Sequence, residues 1–319
     1  MDGIVNVMKP AGMTSHDVVA KLRRIYHTRK VGHTGTLDPD AVGVLPVCIG
    51  QATRLVEYLT DKEKTYKTVM KFGSETSTQD ASGEVTVTTE LPALSREEFV
   101  AMTQQFIGEI QQIPPMYSAI KKNGQPLYKL ARQGIDVEVE PRPVVIHEIK
   151  VLMYNQESAM LEIRCGKGTY IRTLCQDLAR ACGSSAHMAY LMRTKSGLFG
   201  ADTVVSLARL EQAEHPEQFL MDMNTSLADM PALTVTDAVM LTRVQNGLAQ
   251  RVSGAAELAE GTVCRALDGQ GNLLAIGVIE KESFQPNKVV KCGETAGQPG
   301  TIAQSCWAIL MASIEDISS

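Results

Sequence analysis

The sequence of 319 residues is poor in aromatic side chains, which make up 5% of the chain, and it contains no long apolar run. The longest apolar stretches, such as 42–45, fall far short of the roughly 20 residues that a membrane-spanning helix needs. Residues 1–3 show no basic segment followed by an apolar one, so we expect no secretory signal and no membrane partner. With 44% hydrophobic and 21% charged residues, the composition is that of a folded protein of about two domains.

The cysteines lack the spacing of a disulfide framework or a zinc site. There are seven, an odd number, at positions 48, 165, 175, 182, 264, 292 and 306. None belongs to a C-x-x-C pair, which argues against a structural zinc site. The pattern is typical of a reduced compartment, and we therefore expect a cytoplasmic protein.

The two common phosphate-binding motifs, G-x-x-x-x-G-K-[ST] and G-x-G-x-x-G after a strand, are absent, which argues against nucleotide binding. The glycine-rich segment 32–45 nevertheless carries His33, Asp38 and Asp40. Three interpretations remain open from these residues alone. They are a divalent-metal site, an active carboxylate at Asp38 without a metal, and a structural turn in which Asp38 precedes a proline.

Negative charge is concentrated late in the chain. The net charge is -5, which by itself counts against a nucleic-acid partner. However, residues 1–71 carry 11 Lys and Arg against 7 Asp and Glu, and residues 117–172 carry 9 against 6. Residues 205–232 carry 1 against 5, and residues 233–319 carry 6 against 9. The two basic segments could therefore form a local patch on an acidic protein.

Strands and helices alternate without a regular βαβ rhythm, which predicts an α+β fold with a mixed, mainly antiparallel sheet. Strands are expected at 4–7, 44–49, 64–72, 143–153 and 158–165, and helices after Ser15 and Thr169 as N-caps. A hairpin is expected over 263–279. The acidic segment 211–232 is the best candidate for a linker between domains at 1–230 and 231–319.

Several segments keep a recognisable order over residues 1–200. The most specific is Gly32-His-Thr-Gly-Thr-Leu-Asp-Pro39, and the others are Lys9–Asp17, Lys64–Tyr66, Pro114–Lys121, Leu127–Arg132, Lys167–Thr173 and His187–Gly197. Together they resemble the bacterial tRNA pseudouridine-55 synthase family of TruB type. The resemblance implies a catalytic domain of pseudouridine synthase type, followed by a small β-rich, PUA-like RNA-binding domain over 231–319.

The resemblance also implies the chemistry. The N1–C1′ bond of a uridine breaks and the base rejoins the sugar through C5, with no cofactor and no metal. Asp38 corresponds to the catalytic carboxylate, which either attacks C1′ or takes the C2′ proton. Arg172, which by itself would be interpreted as a solvated side chain, corresponds to the guanidinium that favours the ionised carboxylate.

The uridine must leave its stack before it can react. By resemblance, His33 fills the space that the base vacates, Tyr66 stacks on the flipped base, and Tyr170 and Leu191 line the pocket. An insertion at about 121–150 is expected to clasp the T stem-loop of tRNA. The RNA backbone contacts implied are Lys9, Lys121, Lys122, Lys129 and Arg132, with a scaffold role near the site as the alternative for Lys9.

The expected protein is thus a monomer that modifies uridine 55 of tRNA without guide RNA. Two alternatives stay open: a guide-RNA-dependent pseudouridine synthase, and a non-catalytic RNA-binding or tRNA-folding protein. The sequence departs from the family at Gly166, where a serine is usual, and at Met192, where an arginine is usual. The first change should matter little, whereas the second would remove one phosphate or structural contact.

Overall fold

A computed structural model describes residues 1–122, 124–135 and 137–290. The first part of the chain contains β1 (Gly3–Lys9), α1 (Ser15–Ile25), β2 (Val31–His33), β3 (Val42–Ile49), α2 (Val56–Thr60), β4 (Lys64–Phe72), β5 (Ser74–Thr76), β6 (Val85–Thr88), α3 (Arg96–Thr103) and β7 (Gly108–Gln112). The middle part contains β8 (Lys121–Lys122), β9 (Gln125–Pro126), α4 (Leu127–Arg132), β10 (Arg142–Tyr154), β11 (Ser158–Cys165), α5 (Ile171–Ala181), β12 (Ala186–Ser196), β13 (Val205–Ser206) and α6 (Leu207–Gln212). The last part contains β14 (Ala232–Thr234), α7 (Ala238–Gln245), β15 (Val263–Leu267), β16 (Leu273–Glu280) and β17 (Ser283–Val289). Short 3-10 helices lie at Gly50–Leu55, Gln104–Phe106, Ala201–Thr203, Pro216–Phe219, Thr225–Leu227 and Ala255–Glu257.

The main sheet has nine strands in the order β13-β1-β3-β12-β4-β11-β10-β7, with β2 paired to β3. Among the described strands of this sheet, only the β1–β13 and β3–β12 pairs are parallel. The mixed, mainly antiparallel sheet expected from the sequence is therefore confirmed. Strands β1 and β3 are buried along their whole length, as their nearly continuous apolar sequences predict.

Helices cover the sheet on the side that holds its largest apolar cluster. Phe99 and Met102 of α3, together with Leu174 and Leu178 of α5, pack there against residues of β4, β11 and β12. Helix α1 begins one residue earlier than expected, because Thr14 rather than Ser15 is its N-cap and forms a capping box with Asp17. Its buried face packs against β1 and β3 in a second cluster.

Residues 211–232 do not form a linker, so that prediction is wrong. Leu220 and Leu227 are fully buried, and Met221 forms a β-bridge with Ile4 of β1. The segment follows the edge of the main sheet, with its apolar side chains turned inward. The acidic composition indicated an exposed segment, but a count of charges does not show in which direction the apolar side chains point.

The C-terminal sheet, ordered β14-β15-β16-β17, packs directly on the first part of the chain. Leu273, Ile276 and Val290 share one apolar cluster with Ala52 and Leu55. Two polar contacts cross the same boundary, from Arg54 Nη1 to the Val289 carbonyl at 2.7 Å and from Lys288 Nζ to Glu57 Oε1 at 3.0 Å. In the described part of the chain, no helix has the length and apolar character needed to cross a membrane.

Candidate active site

Asp38 lies in the loop that joins β2 to β3. The loop is held by backbone bonds on both sides, from Ala41 N to the Asp38 carbonyl at 3.2 Å and from Gly12 N to the Pro39 carbonyl at 3.0 Å. A further bond runs from Leu37 N to Ser15 Oγ at 2.9 Å. Asp38-Pro39 thus forms a structural turn, as one interpretation predicted. None of these bonds uses the Asp38 carboxylate.

The Asp38 carboxylate is paired with Arg172 of α5. Arg172 Nε lies 2.9 Å from Oδ2, and Nη2 donates to Oδ1 at 3.1 Å. The guanidinium also donates to the Thr78 carbonyl at 3.1 Å and to the Tyr117 carbonyl at 3.0 Å. Its side chain is 5% exposed, whereas that of Asp38 is 32% exposed. Arg172 is therefore a buried donor that uses four of its five N–H groups in these bonds, and Asp38 is the more exposed partner of the pair.

Burial raises the pKa of Asp38 above its usual range, the nearby Arg172 lowers it, and the Asp80 carboxylate raises it further. The net effect is a pKa above the ordinary value, so Asp38 becomes protonated at a higher pH than a solvated aspartate. Arg172 is the main opposing influence. Pairing with Arg172 thus favours the ionised carboxylate and partly offsets the effect of burial on the pKa of Asp38.

Lys9 does not reach the surface, and its prediction as an RNA backbone contact is wrong. Its side chain is fully buried, and Nζ donates to the carbonyls of Pro10, Pro39 and Ala41 at 2.8, 2.8 and 2.7 Å. All three ammonium protons are therefore used inside the protein. Lys9 ties the loop on the C-terminal side of Asp38 to strand β1, and burial lowers its pKa to about 8.

His33 ends β2, and its ring makes an edge contact with His16 at 5.3 Å between centroids. Burial is the main cause that lowers the pKa of His33 to about 4, and nearby His16 and Arg193 lower it further. The Gly35 amide donates to His33 Nδ1 at 3.3 Å. The ring is therefore neutral at neutral pH and carries its proton on Nε2, as suits contact with an uncharged base.

The aromatic and apolar residues predicted for the pocket come from separate parts of the fold. Tyr66 of β4 and Leu191 of β12 are buried in one apolar cluster. The same cluster contains Ile171 and Leu37, the residue before Asp38. Tyr170, directly before α5, is half-buried. Burial raises the pKa values of both Tyr66 and Tyr170.

Arg193 is a site residue that the sequence analysis missed. It is fully buried on β12, donates to the Val44 carbonyl at 2.7 Å and the Gly35 carbonyl at 3.1 Å, and lies beside Tyr66. A signal was present, because an arginine inside the apolar strand 188–193 must find buried acceptors.

The two departures from the family have different surroundings. Met192 is fully buried and packs with Val42, Val69 and Met160 on the other face of the sheet, so here apolar packing takes the place of a charged contact. A Cβ at Gly166 would meet only Val145, at an ordinary 3.6 Å, so the glycine is not required for space.

The basic residues of the predicted insertion lie on a short excursion from the sheet. Lys121, Lys122, Lys129 and Arg132 are exposed, and none of them has a salt bridge among the described residues. The chain returns to the main sheet at Arg142, where β10 begins, so the second part of 121–150 is sheet. The excursion starts beside the Asp38–Arg172 pair, at the Tyr117 carbonyl.

A metal site made from His33, Asp38 and Asp40 is not assembled. Within residues 1–122, 124–135 and 137–290, no three or more His, Cys, Asp or Glu side chains come together as a metal-binding group. The charged groups nearest Asp38 are the cations Arg172 and Lys9 and a single further carboxylate, Asp80, among the described residues. The arrangement favours a carboxylate that acts without a bound metal ion.

Comparisons with known proteins agree with this geometry. Residues 23–171 match the N-terminal domain of TruB family pseudouridylate synthase, and residues 172–228 match the tRNA pseudouridylate synthase B C-terminal domain. The chain is 43% identical over 302 residues to tRNA pseudouridine synthase B of Heliobacterium modesticaldum, covering 92% of this chain and 97% of that protein. It is 45% identical over 238 residues to the enzyme of the same name from Alkaliphilus oremlandii, covering 75% and 79%.

Among solved structures, a Cbf5-Nop10-Gar1 complex contains a chain with a TM-score of 0.69 and 26% identity, covering 91% of this chain and 84% of that one. An H/ACA RNP bound to a substrate RNA containing 2'-deoxyuridine contains another, with a TM-score of 0.68 and 25% identity, covering 92% and 86%. The matched family models and the long, closely similar relatives lead to one conclusion: the chain belongs to the TruB family of pseudouridylate synthases.

Proposed function

We propose that this protein converts the uridine at position 55 in the T loop of tRNA to pseudouridine, with Asp38 as the catalytic carboxylate. The observation that carries the proposal is the bidentate pair between Asp38 and Arg172, beside the apolar cluster that contains Tyr66 and Leu191. The name tRNA pseudouridine synthase B, shared by relatives that align over nearly their full length, supports the choice of tRNA.

The pair with Arg172 leaves the Asp38 carboxylate able to react with a substrate. Each carboxylate oxygen has two lone pairs, and Arg172 uses one on each oxygen. The remaining lone pairs face the exposed side and can attack C1′ or accept the C2′ proton. In either case the N1–C1′ bond breaks, a C5–C1′ bond forms, the proton on C5 leaves and N1 gains a proton, so no redox partner is needed.

The flipped uridine would occupy the space between the sheet and the Asp38 loop. Tyr66 provides a stacking surface, and such a contact contributes about 1–3 kcal/mol per base. Tyr170 and Leu191 complete the pocket wall. His33, neutral and next to His16, is placed to hold the gap that the base leaves in the RNA stack.

The RNA backbone would be held by Lys121, Lys122, Lys129 and Arg132. Their exposure suits phosphate contacts, and none of them has a salt bridge among the described residues. Binding through such contacts weakens with salt because counterions are released. We propose that residues 231–319 form a PUA-like RNA-binding domain. Its small sheet supports this assignment over 231–290, whereas residues 291–319 lie outside the described chain.

We propose that the protein acts as a monomer in the cytoplasm and without guide RNA. The described cysteines at 48, 165, 175, 182 and 264 are unpaired, as suits a reduced compartment. Solved structures similar in fold come from a complex with Nop10 and Gar1 and from an H/ACA RNP, which keeps a guided enzyme as the alternative. The higher identity to enzymes named for tRNA favours the unguided one.

Tritium release from tRNA labelled at uridine C5 tests the function. The wild-type protein should release tritium from a bare transcript, and a transcript with cytidine at position 55 should release none from that position. Asp38→Asn should bind the transcript with unchanged affinity and release nothing. Activity only after addition of a guide RNA would favour the guided class, and full activity of Asp38→Asn would remove Asp38 from the mechanism.

A further inference from the structure

Helix α5 carries Arg172 at its second residue but has no side-chain cap of its own. The N-cap position is Tyr170, whose side chain makes no capping bond. Thr169, the residue predicted to cap the helix, instead donates its hydroxyl to the Gly166 carbonyl at 3.1 Å. The first amides of a helix lack partners within the helix, so the fold must supply some from elsewhere.

Gln112, the last residue of β7, supplies this partner from a distant part of the chain. Its Oε1 accepts the Tyr170 amide at 2.8 Å, and its Nε2 donates to the Tyr170 carbonyl at 3.1 Å. The residue is 1% exposed. One primary amide therefore binds both polar backbone groups of one residue, which fixes the position and the orientation of the start of α5.

The residues after Gln112 continue around the first turn of the helix. The Ile113 carbonyl lies 3.4 Å from Thr173 Oγ1, and the Tyr117 carbonyl accepts from Arg172 Nη2 at 3.0 Å. Tyr170, Arg172 and Thr173 thus all contact segment 112–117, and Thr173 Oγ1 also donates to Gln79 Oε1 at 2.9 Å. Arg172 must reach Asp38 with two nitrogens at once, so a small shift of this turn would break the fork.

Building on the function proposed above, we propose that Gln112 is a positioning residue for the reaction. It holds the first turn of α5 so that Arg172 meets Asp38 in the bidentate geometry. The Gln112 side chain contacts the backbone of Tyr170, and its effect on Asp38 is transmitted through Arg172.

The chain offers a matched pair of variants for the test. Gln112→Met keeps the volume and removes both hydrogen bonds, whereas Gln111→Met makes the same change one residue earlier on β7, at an exposed position. In Gln112→Met we expect kcat to fall by about 10-fold to 100-fold, since a displacement of about 1 Å can cost that much. We expect KM for tRNA to stay near the wild-type value, and Gln111→Met to behave as wild type.

The pH profile separates positioning from a loss of folded protein. The charged and titratable groups that face Asp38 are Arg172 on α5, Asp80 after β5, Lys9 on β1, Tyr66 on β4 and Tyr170 before α5. Of these, only Arg172 and Tyr170 depend on Gln112. A looser Arg172 stabilises the ionised Asp38 less, so the acidic limb of kcat should move to higher pH by about 0.5–1 unit.

Gln112→Asn is the second variant, because it keeps a polar amide in the buried position and shortens it by one methylene. It should lose less kcat than Gln112→Met and shift the acidic limb in the same direction, and it decides the question if Gln112→Met does not fold. A folded variant with the wild-type kcat and pH profile would overturn the inference, and so would a fall in kcat with an unshifted profile. If instead Asp38→Asn remains active, the function proposed above fails, whatever Gln112 does.

Discussion

Arg172 holds Asp38 through two hydrogen bonds, from Nε to Oδ2 at 2.9 Å and from Nη2 to Oδ1 at 3.1 Å, across 134 residues of sequence. The same guanidinium is held by the carbonyls of Thr78 and Tyr117. The Arg172 guanidinium is thus held by three separate segments of the chain, which contain Asp38, Thr78 and Tyr117. The charge of Asp38 consequently depends on how accurately the whole fold places Arg172.

Replacing Arg172 with lysine should reduce activity and change its pH dependence. A lysine keeps the charge but cannot form the two-nitrogen fork, and it loses the bonds to the backbone carbonyls. Because Asp38 must be ionised to act and its pKa is already raised by burial, weaker pairing should raise that pKa further. We expect kcat for tritium release to fall by about 100-fold and the acidic limb to move to higher pH.

Arg164→Lys is the matched control, because Arg164 is an exposed arginine on β11 that pairs with Glu63. It should leave both kcat and the pH profile unchanged. A wild-type profile in Arg172→Lys would show that Arg172 does not govern the ionisation of Asp38.

Lys9 and Lys129 should separate stability from RNA binding. Lys9→Met removes the three hydrogen bonds to the carbonyls of Pro10, Pro39 and Ala41, so the free energy of unfolding should fall by about 3 kcal/mol, measured by urea denaturation. Lys129→Met should leave that free energy unchanged. In tRNA binding, Lys129→Met should reduce the slope of log K against log salt by about 1. A reduced slope in folded Lys9→Met, with stability intact, would reinstate Lys9 as a phosphate contact.

His33 should make the protein less stable in mild acid. Its pKa is about 4 in the folded state against 6.5 when unfolded, so between these values the unfolded chain binds the extra proton. Stability from this group is complete above pH 6.5 and is lost as the pH falls toward 4. Between pH 7 and pH 5, wild type should lose about 1–2 kcal/mol more unfolding free energy than His33→Asn. Equal losses in the two proteins would contradict the lowered pKa.

Gly43 should be irreplaceable because β12 approaches it closely. A Cβ there would lie 2.2 Å from the Arg193 carbonyl oxygen and 2.9 Å from its nitrogen, whereas Gly108 has open space around it. Both glycines have similar positive φ, 111° and 106°, so Gly108→Ala controls for backbone strain. Gly43→Ala should cost about 2 kcal/mol more than Gly108→Ala in unfolding free energy and should also reduce activity. Equal costs would show that β3 and β12 can separate without penalty.

Much of this protein could be predicted from local sequence. The strands over 64–72 and 158–165, the capping box at Ser95, the short helix over 127–132 and the hairpin over 263–279 all follow from patterns within about ten residues. The glycine-rich loop indicated Asp38 as a candidate carboxylate, and the resemblance to the family indicated Arg172 as its partner. Asp38 and Arg172 do meet in the fold.

The errors came from properties that a linear sequence does not contain. Lys9 belongs to a basic segment, yet it is buried, because the carbonyls of Pro39 and Ala41 are its partners. Residues 211–232 are acidic, yet their apolar side chains close one edge of the sheet. In both cases composition gave the charge correctly, but burial depends on which distant atoms come close.

The sequence by itself determined the strands and helices, the family to which the chain belongs and the loop that carries Asp38, because these depend on neighbouring residues. Only the tertiary structure decided that Lys9 braces the loop, that Arg193 is buried beside Tyr66, and that Gln112 caps the helix of Arg172. Each of these contacts joins groups far apart in the chain. Hydrogen bonds and desolvation act over a few ångströms of space, so their partners exist only once the chain has folded.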